Sequence, residues 1–221
     1  MERRAVPLIV SALVIVLAVA YHYTGWIGTA ILGGSAVPAF LFWHKYFVRC
    51  HVSPSVTVPV FAATIAAFQI HSIEEFYGHY GPAIGRLFDF GWTDQRFVIA
   101  ICLLSAALSL VIVGLYYRLP VARFLVSLFL VTRFAEVLLL VFPLVRPAVH
   151  PEVHHAISAV VTSGTFVSDM QTYWVPATGH YYFPGLFTLP LVISVAGFAL
   201  WRISKAALPH SKIASGVFDN E

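Results

Sequence analysis

The chain has 221 residues, 59% of them hydrophobic and only 10% charged, where soluble domains carry about one-quarter charged residues; an ordinary soluble fold is excluded and a polytopic membrane protein is implied. The formal charge of +3 comes from basic residues scattered at the ends of apolar runs. With no aromatic-interleaved basic patch it excludes nucleic-acid binding and reads as a topology signal.

Taken in order, Met1-Glu2-Arg3-Arg4 leads into an apolar run from Ala5 to about Tyr23. Ala18-Val19-Ala20 resembles a signal-peptide cleavage pattern, yet the run is span-length and is assigned as a first helix. Trp26 to Trp43 is a second, bracketed by interfacial tryptophans. His44, Lys45 and Arg49 then mark a basic turn. The third span, Pro54 to Glu75, ends in His71-Ser72-Ile73-Glu74-Glu75. Phe76 to Gln95 is too polar to cross. Phe97 to Tyr117 is the cleanest apolar helix, its Ser105, Ser109 and Gly114 suiting close helix packing in lipid. The fifth span, Val121 to about Val145, carries Arg133 and Glu136 three residues apart, on one face and within reach of an ion pair. His150 to Gly179 is polar, with His154, His155 and Asp169, and Tyr182 to Trp201 forms the last span. Cys50, in a loop, and Cys102, in a span, stand in no CxxC or Cys-His spacing and imply no disulfide framework.

The fold class expected is therefore all-α: a polytopic transmembrane helix bundle of about six spans, with a re-entrant or interfacial segment at 150–179. It forms a single integral membrane domain over 1–221, two N-terminal helices in 1–50 preceding a core bundle in 52–201. Six spans put Arg3, Arg4, Lys45, Arg49, Arg118, Arg123, Arg202, Lys205 and Lys212 on one side, against Arg86, Arg96 and Arg146 on the other. By the positive-inside rule both termini are then cytoplasmic.

His71, Glu74 and Glu75 are the residues hardest to explain as filler. On a helix His71 lies three residues before Glu74 and four before Glu75, so all three can address one space. Ionisable groups at such depth are costly and face a bundle interior or a water-filled cavity. The expected topology gathers Glu136, His154 or His155, and Tyr182 into the same outer half of the bundle. A plainer account exists for several of these: Arg133 and Glu136 neutralise one another, and Tyr182 is a belt aromatic.

Two stretches also carry a resemblance. His71-Ser72-Ile73-Glu74-Glu75 and the later Tyr182-Phe183-Pro184-Gly185-Leu186-Phe187-Thr188 resemble the two motifs of the HXXEE family of small integral membrane proteins, over about Val52 to Trp201. The resemblance implies a histidine between the motifs, for which His155 or His154 is the nearest match, and makes the first two helices an addition to the family core. It supplies no reaction. A looser similarity, in size and His/Glu placement, links the chain to sterol isomerases of the emopamil-binding class.

Three chemistries fit these residue types. A transition-metal site (Zn, Fe or Mn) would use His71, Glu74, Glu75, Glu136, His155 and His154 as ligands, with Glu75 alternatively the base for a metal-bound water. A metal-free acid–base centre of Glu75, Glu74, Glu136 and His71 would act on a lipid-like substrate, as an isomerase or cyclase does. Arg133, Tyr182 and Asp169 are then candidate substrate-binding residues, and a membrane lipid or hydrophobic small molecule is the expected partner. A transporter or proton relay is the third reading, weakened because the two halves show no matching broken helices.

Overall fold

The computed structural model describes residues 2–81, 93–145, 174–175, 180–181 and 184–209. Five helices dominate it: α1 (Glu2–Trp43), α2 (Pro54–Tyr77), α3 (Asp94–Tyr116), α4 (Pro120–Val145) and α5 (Leu189–Ala206). A π-helical turn, His44–Val48, follows α1. Four two-residue strands complete the described elements. β1 (Cys50–His51) pairs antiparallel with β4 (Leu208–Pro209), and β2 (Trp174–Val175) with β3 (His180–Tyr181). Among the described residues α2, α3 and α5 are each long and apolar enough to cross a bilayer, and α4 is of comparable length.

The ends of α2 and α3 follow local capping chemistry. Ser53 caps α2, its hydroxyl accepting from Ser55 N at 3.3 Å, with Pro54 at the first turn where a missing N–H costs nothing. Thr93 caps α3, accepting from Arg96 N at 3.2 Å, and Asp94 lies in the first turn. The loop expected over Phe76 to Gln95 is therefore shorter, because α2 continues to Tyr77 and α3 begins at Asp94. Cys50 lies in β1 rather than in a loop, and both cysteines are free.

Helices α2, α3, α4 and α5 pack in sequence around a ring that α5 closes against α2, while α1 packs on α4. Neighbours in the ring run antiparallel. The start of α2 and the end of α5 are joined by the β1–β4 pair, while the end of α2 meets the start of α5 through His71 and Thr188. The centre is aromatic, Phe129 of α4 meeting Phe61 and Phe68 of α2 edge to face at 5.7 and 5.4 Å. Gly114 lets α3 and α4 touch: a Cβ there would come within 2.7 Å of the Ala122 Cβ, the close packing expected of that residue.

Two expected boundaries are corrected. The N-terminal pair of helices is continuous in helical hydrogen bonding, Glu2–Trp43. A straight helix of that length would extend about 63 Å and set residues 17 and 33 about 24 Å apart. The Leu17 side chain nevertheless lies 3.5 Å from the Cβ position of Gly33, so the run doubles back between them and delivers the hairpin that the two-helix reading anticipated. The last helix starts at Leu189, not at Tyr182. Pro184 to Thr188 form turns, and Gly185 takes φ +93°, a left-handed conformation that ends any helical path through an otherwise apolar stretch. Of the polar segment 150–179, only Trp174–Val175 lies within the described residues, in a strand pair with His180–Tyr181.

Candidate functional site: an enclosed His/Glu centre

The last two turns of α2 present His71, Glu74 and Glu75 to the Pro184–Thr188 turn. Glu74 accepts three hydrogen bonds there: from Phe187 N at 3.0 Å, from Thr188 N at 2.7 Å and from the Thr188 hydroxyl at 2.6 Å. The two backbone donors stand at the N-terminus of α5, so a carboxylate from another helix caps it. Thr188, the residue just before α5, makes no capping bond with its own side chain.

His71 sits beside this clasp, and only 2% of it is exposed. Its Nδ1 is 2.8 Å from the Thr188 hydroxyl. That hydroxyl has one proton and gives it to Glu74, so toward His71 it acts as acceptor and the proton sits on Nδ1. A neutral imidazole protonated at Nδ1 carries its lone pair on Nε2. Nε2 faces Glu75 Oε1 at 3.5 Å, longer than a hydrogen bond. Glu75 is itself buried, 5% exposed. Gly185 covers the pair. A Cβ there would lie 2.6 Å from His71 Cε1 and 3.2 Å from Glu75 Cγ, so no other residue lets the turn come this close.

The third contribution comes from α4. Arg133 and Glu136 form the ion pair that their spacing implied, with side chains almost entirely buried. The Arg133 guanidinium lies in the corner formed by two perpendicular rings, 4.6 Å from the Phe68 centroid and 4.5 Å from that of Phe129, which holds a desolvated cation against aromatic faces. His71 and Glu75 lie within electrostatic reach of Arg133, and Glu75 also of Glu136.

The structure thus brings together His71, Glu74 and Glu75 from α2, Arg133 and Glu136 from α4, and the turn before α5. His154, His155, Asp169 and Tyr182 lie outside the described residues. Among the described residues no three His, Cys, Asp or Glu side chains are grouped closely enough to hold a metal ion, and the Glu74 carboxylate is engaged with the α5 terminus. Thr188 and Gly185 were quoted in the second motif without a role, and the structure supplies one for each. The signal was present: Thr followed by Leu189-Pro190 is a helix start, and a Pro-Gly pair just before it marks a turn. The aromatic corner around Arg133 draws on two helices: Phe129 stands four residues earlier on the same helix, a local signal, while Phe68 comes from α2 and leaves none.

Fold and site together define a class: a helical membrane-type bundle with a buried imidazole–carboxyl pair at one end of its central ring. No family model, curated protein or solved structure matches the chain.

Proposed function

We propose that His71 and Glu75 form a metal-free acid–base centre acting on a neutral, lipid-like substrate, in the manner of an isomerase. One observation carries this reading: Thr188 occupies Nδ1 of His71 and thereby leaves Nε2 as a proton acceptor beside the buried carboxyl of Glu75. One group takes a proton from the substrate while the other returns one, and the pair is restored when a proton passes between them, so no external reductant or oxidant is needed. Glu74 acts through Thr188 and is a positioning residue. The Arg133–Glu136 pair fixes the local field.

The test does not require the substrate's identity. Membranes containing the protein are incubated in D2O and their lipid extract is profiled by mass spectrometry. Carbon-bound deuterium should enter one neutral lipid with the wild type and fall at least a hundredfold with His71→Gln or Glu75→Gln. Equal incorporation in all three rejects the centre.

A metal-dependent enzyme is the second reading: His71 and Glu75, 3.5 Å apart, supply two ligand types, and Glu136 with His154 or His155 would have to complete the set. Stoichiometric Zn, Fe or Mn in unchelated wild-type preparations, lost in His71→Ala and Glu75→Ala, would replace the first reading with this one.

We also propose that the chain is inserted with both termini in the cytoplasm. Lys45 and Arg49 before α2, Arg123 against the Phe47 ring at 5.6 Å, and Lys205 in the last turn of α5 collect at the β1–β4 end, as the positive-inside rule favours. A C-terminal reporter active only in the cytoplasm should fluoresce; silence reverses the orientation.

A further inference from the structure

On the other side of α2 a groove of about 410 Å³ opens between α2 and α3. Ile73, Phe76, Phe97 and Ile101 contribute apolar wall, Gln69 and Ser72 an amide and a hydroxyl, and Tyr77 and Cys102 also line it. No charged side chain lines it among the described residues. Both helices are long and apolar enough to cross a bilayer, so the groove opens toward lipid.

Ser72 makes this more than a gap between helices. Hydroxyls elsewhere in the bundle satisfy themselves on their own helix: Thr64 donates to Val60 O at 2.9 Å, Ser109 to Ser105 O at 2.9 Å, Ser127 to Arg123 O at 3.0 Å and Thr132 to Leu128 O at 2.7 Å. Ser72 is 6% exposed, and its Oγ has no hydrogen-bond partner among the described residues. In a bilayer no water is at hand to satisfy it. Tyr77, exposed on the following turn, suits the headgroup boundary. By helical rise Ser72 lies about 7 Å and Gln69 about 12 Å inward of it.

We infer that this groove binds a neutral, long-chain lipid bearing a single hydroxyl or carbonyl, which pairs with Ser72 Oγ while its hydrocarbon lies along Phe97 and Ile101. A charged headgroup would meet no counter-charge there, and a plain hydrocarbon would leave Ser72 unsatisfied. The site is separate from the His71 centre, which faces α5, and does not depend on its chemistry.

The probe is a long-chain alcohol carrying a diazirine and an alkyne, irradiated with the purified full-length protein in nanodiscs and mapped by peptide mass spectrometry. A matched alkane and a matched fatty-acid anion serve as controls. The alcohol should label residues 69–77 or 97–102 saturably, at least fivefold above either control. Ser72→Ala should reduce that labelling to the alkane level, and Ile101→Trp, which fills the groove, should remove it. Equal labelling by the alkane, preference for the anion, adducts outside the groove, or insensitivity to Ser72→Ala would each overturn the proposal. Labelling lost in His71→Gln would merge the groove with the neighbouring centre and overturn a separate site.

Discussion

At its start α2 is held by backbone: Cys50 and His51 pair with Pro209 and Leu208, and Ser53 supplies a local cap. At its far end the same helix is held by side chains, with Glu74 gripping the start of α5 across more than a hundred residues of sequence. A strand pair or a serine cap tolerates many residue types, since the peptide groups carry most of the bond. A part-buried carboxylate that takes three donors, next to a buried imidazole oriented through the same threonine, tolerates few. The difference marks the second end as the one where residue chemistry, and not only helix packing, is specified.

Substitutions can break that contrast, and Arg133→Leu should do so most severely. It strands Glu136 in a nearly dry site, an expected loss of about 4 kcal/mol, read by unfolding in mixed detergent micelles; the double substitution Arg133→Leu/Glu136→Leu should recover most of it. Recovery would identify the pair as self-neutralising, whereas a double variant as unstable as the single would tie Glu136 to Glu75 and His71. Next is Glu74→Ala, which removes the acceptor of three hydrogen bonds and should cost about 3 kcal/mol. Glu74→Gln keeps one oxygen acceptor and should lose visibly less.

Gly185→Ala sharpens the comparison from the other partner. Its methyl would enter the space of His71 Cε1, at 2.6 Å, on a backbone with φ +93°, for about 2 kcal/mol of overpacking and strain. The imidazole nitrogen resonances of His71 should shift with it, while those of His44 at the opposite end stay put. The smallest effect belongs to the backbone-fastened end, where Ser53→Ala should cost only about 0.5–1 kcal/mol. A loss there equal to that of Glu74→Ala would erase the distinction between the two ends.

The ring helices were largely legible in the sequence because hydropathy and capping residues are local signals. Pro54 announces its helix, and the spacing of Arg133 and Glu136 predicts their pairing. The start of the last helix was misjudged for a physical reason: Tyr182, Phe183 and Leu186 are as apolar as a membrane helix, and hydropathy does not register that Gly185 turns the chain the other way. Within the site, His71, Glu74 and Glu75 stood out as costly charges, but Glu74's task was hidden. It depends on two amide groups from a distant turn, and amides are the same in every residue.

The route by which α5 joins the ring bears on biogenesis. Translation delivers α2 early and the Pro184–Thr188 turn late, so until the final helix emerges Glu74 has no donors and His71 no fixed tautomer. A chain that ends before Phe187 has neither the donors that hold Glu74 nor the hydroxyl that orients His71.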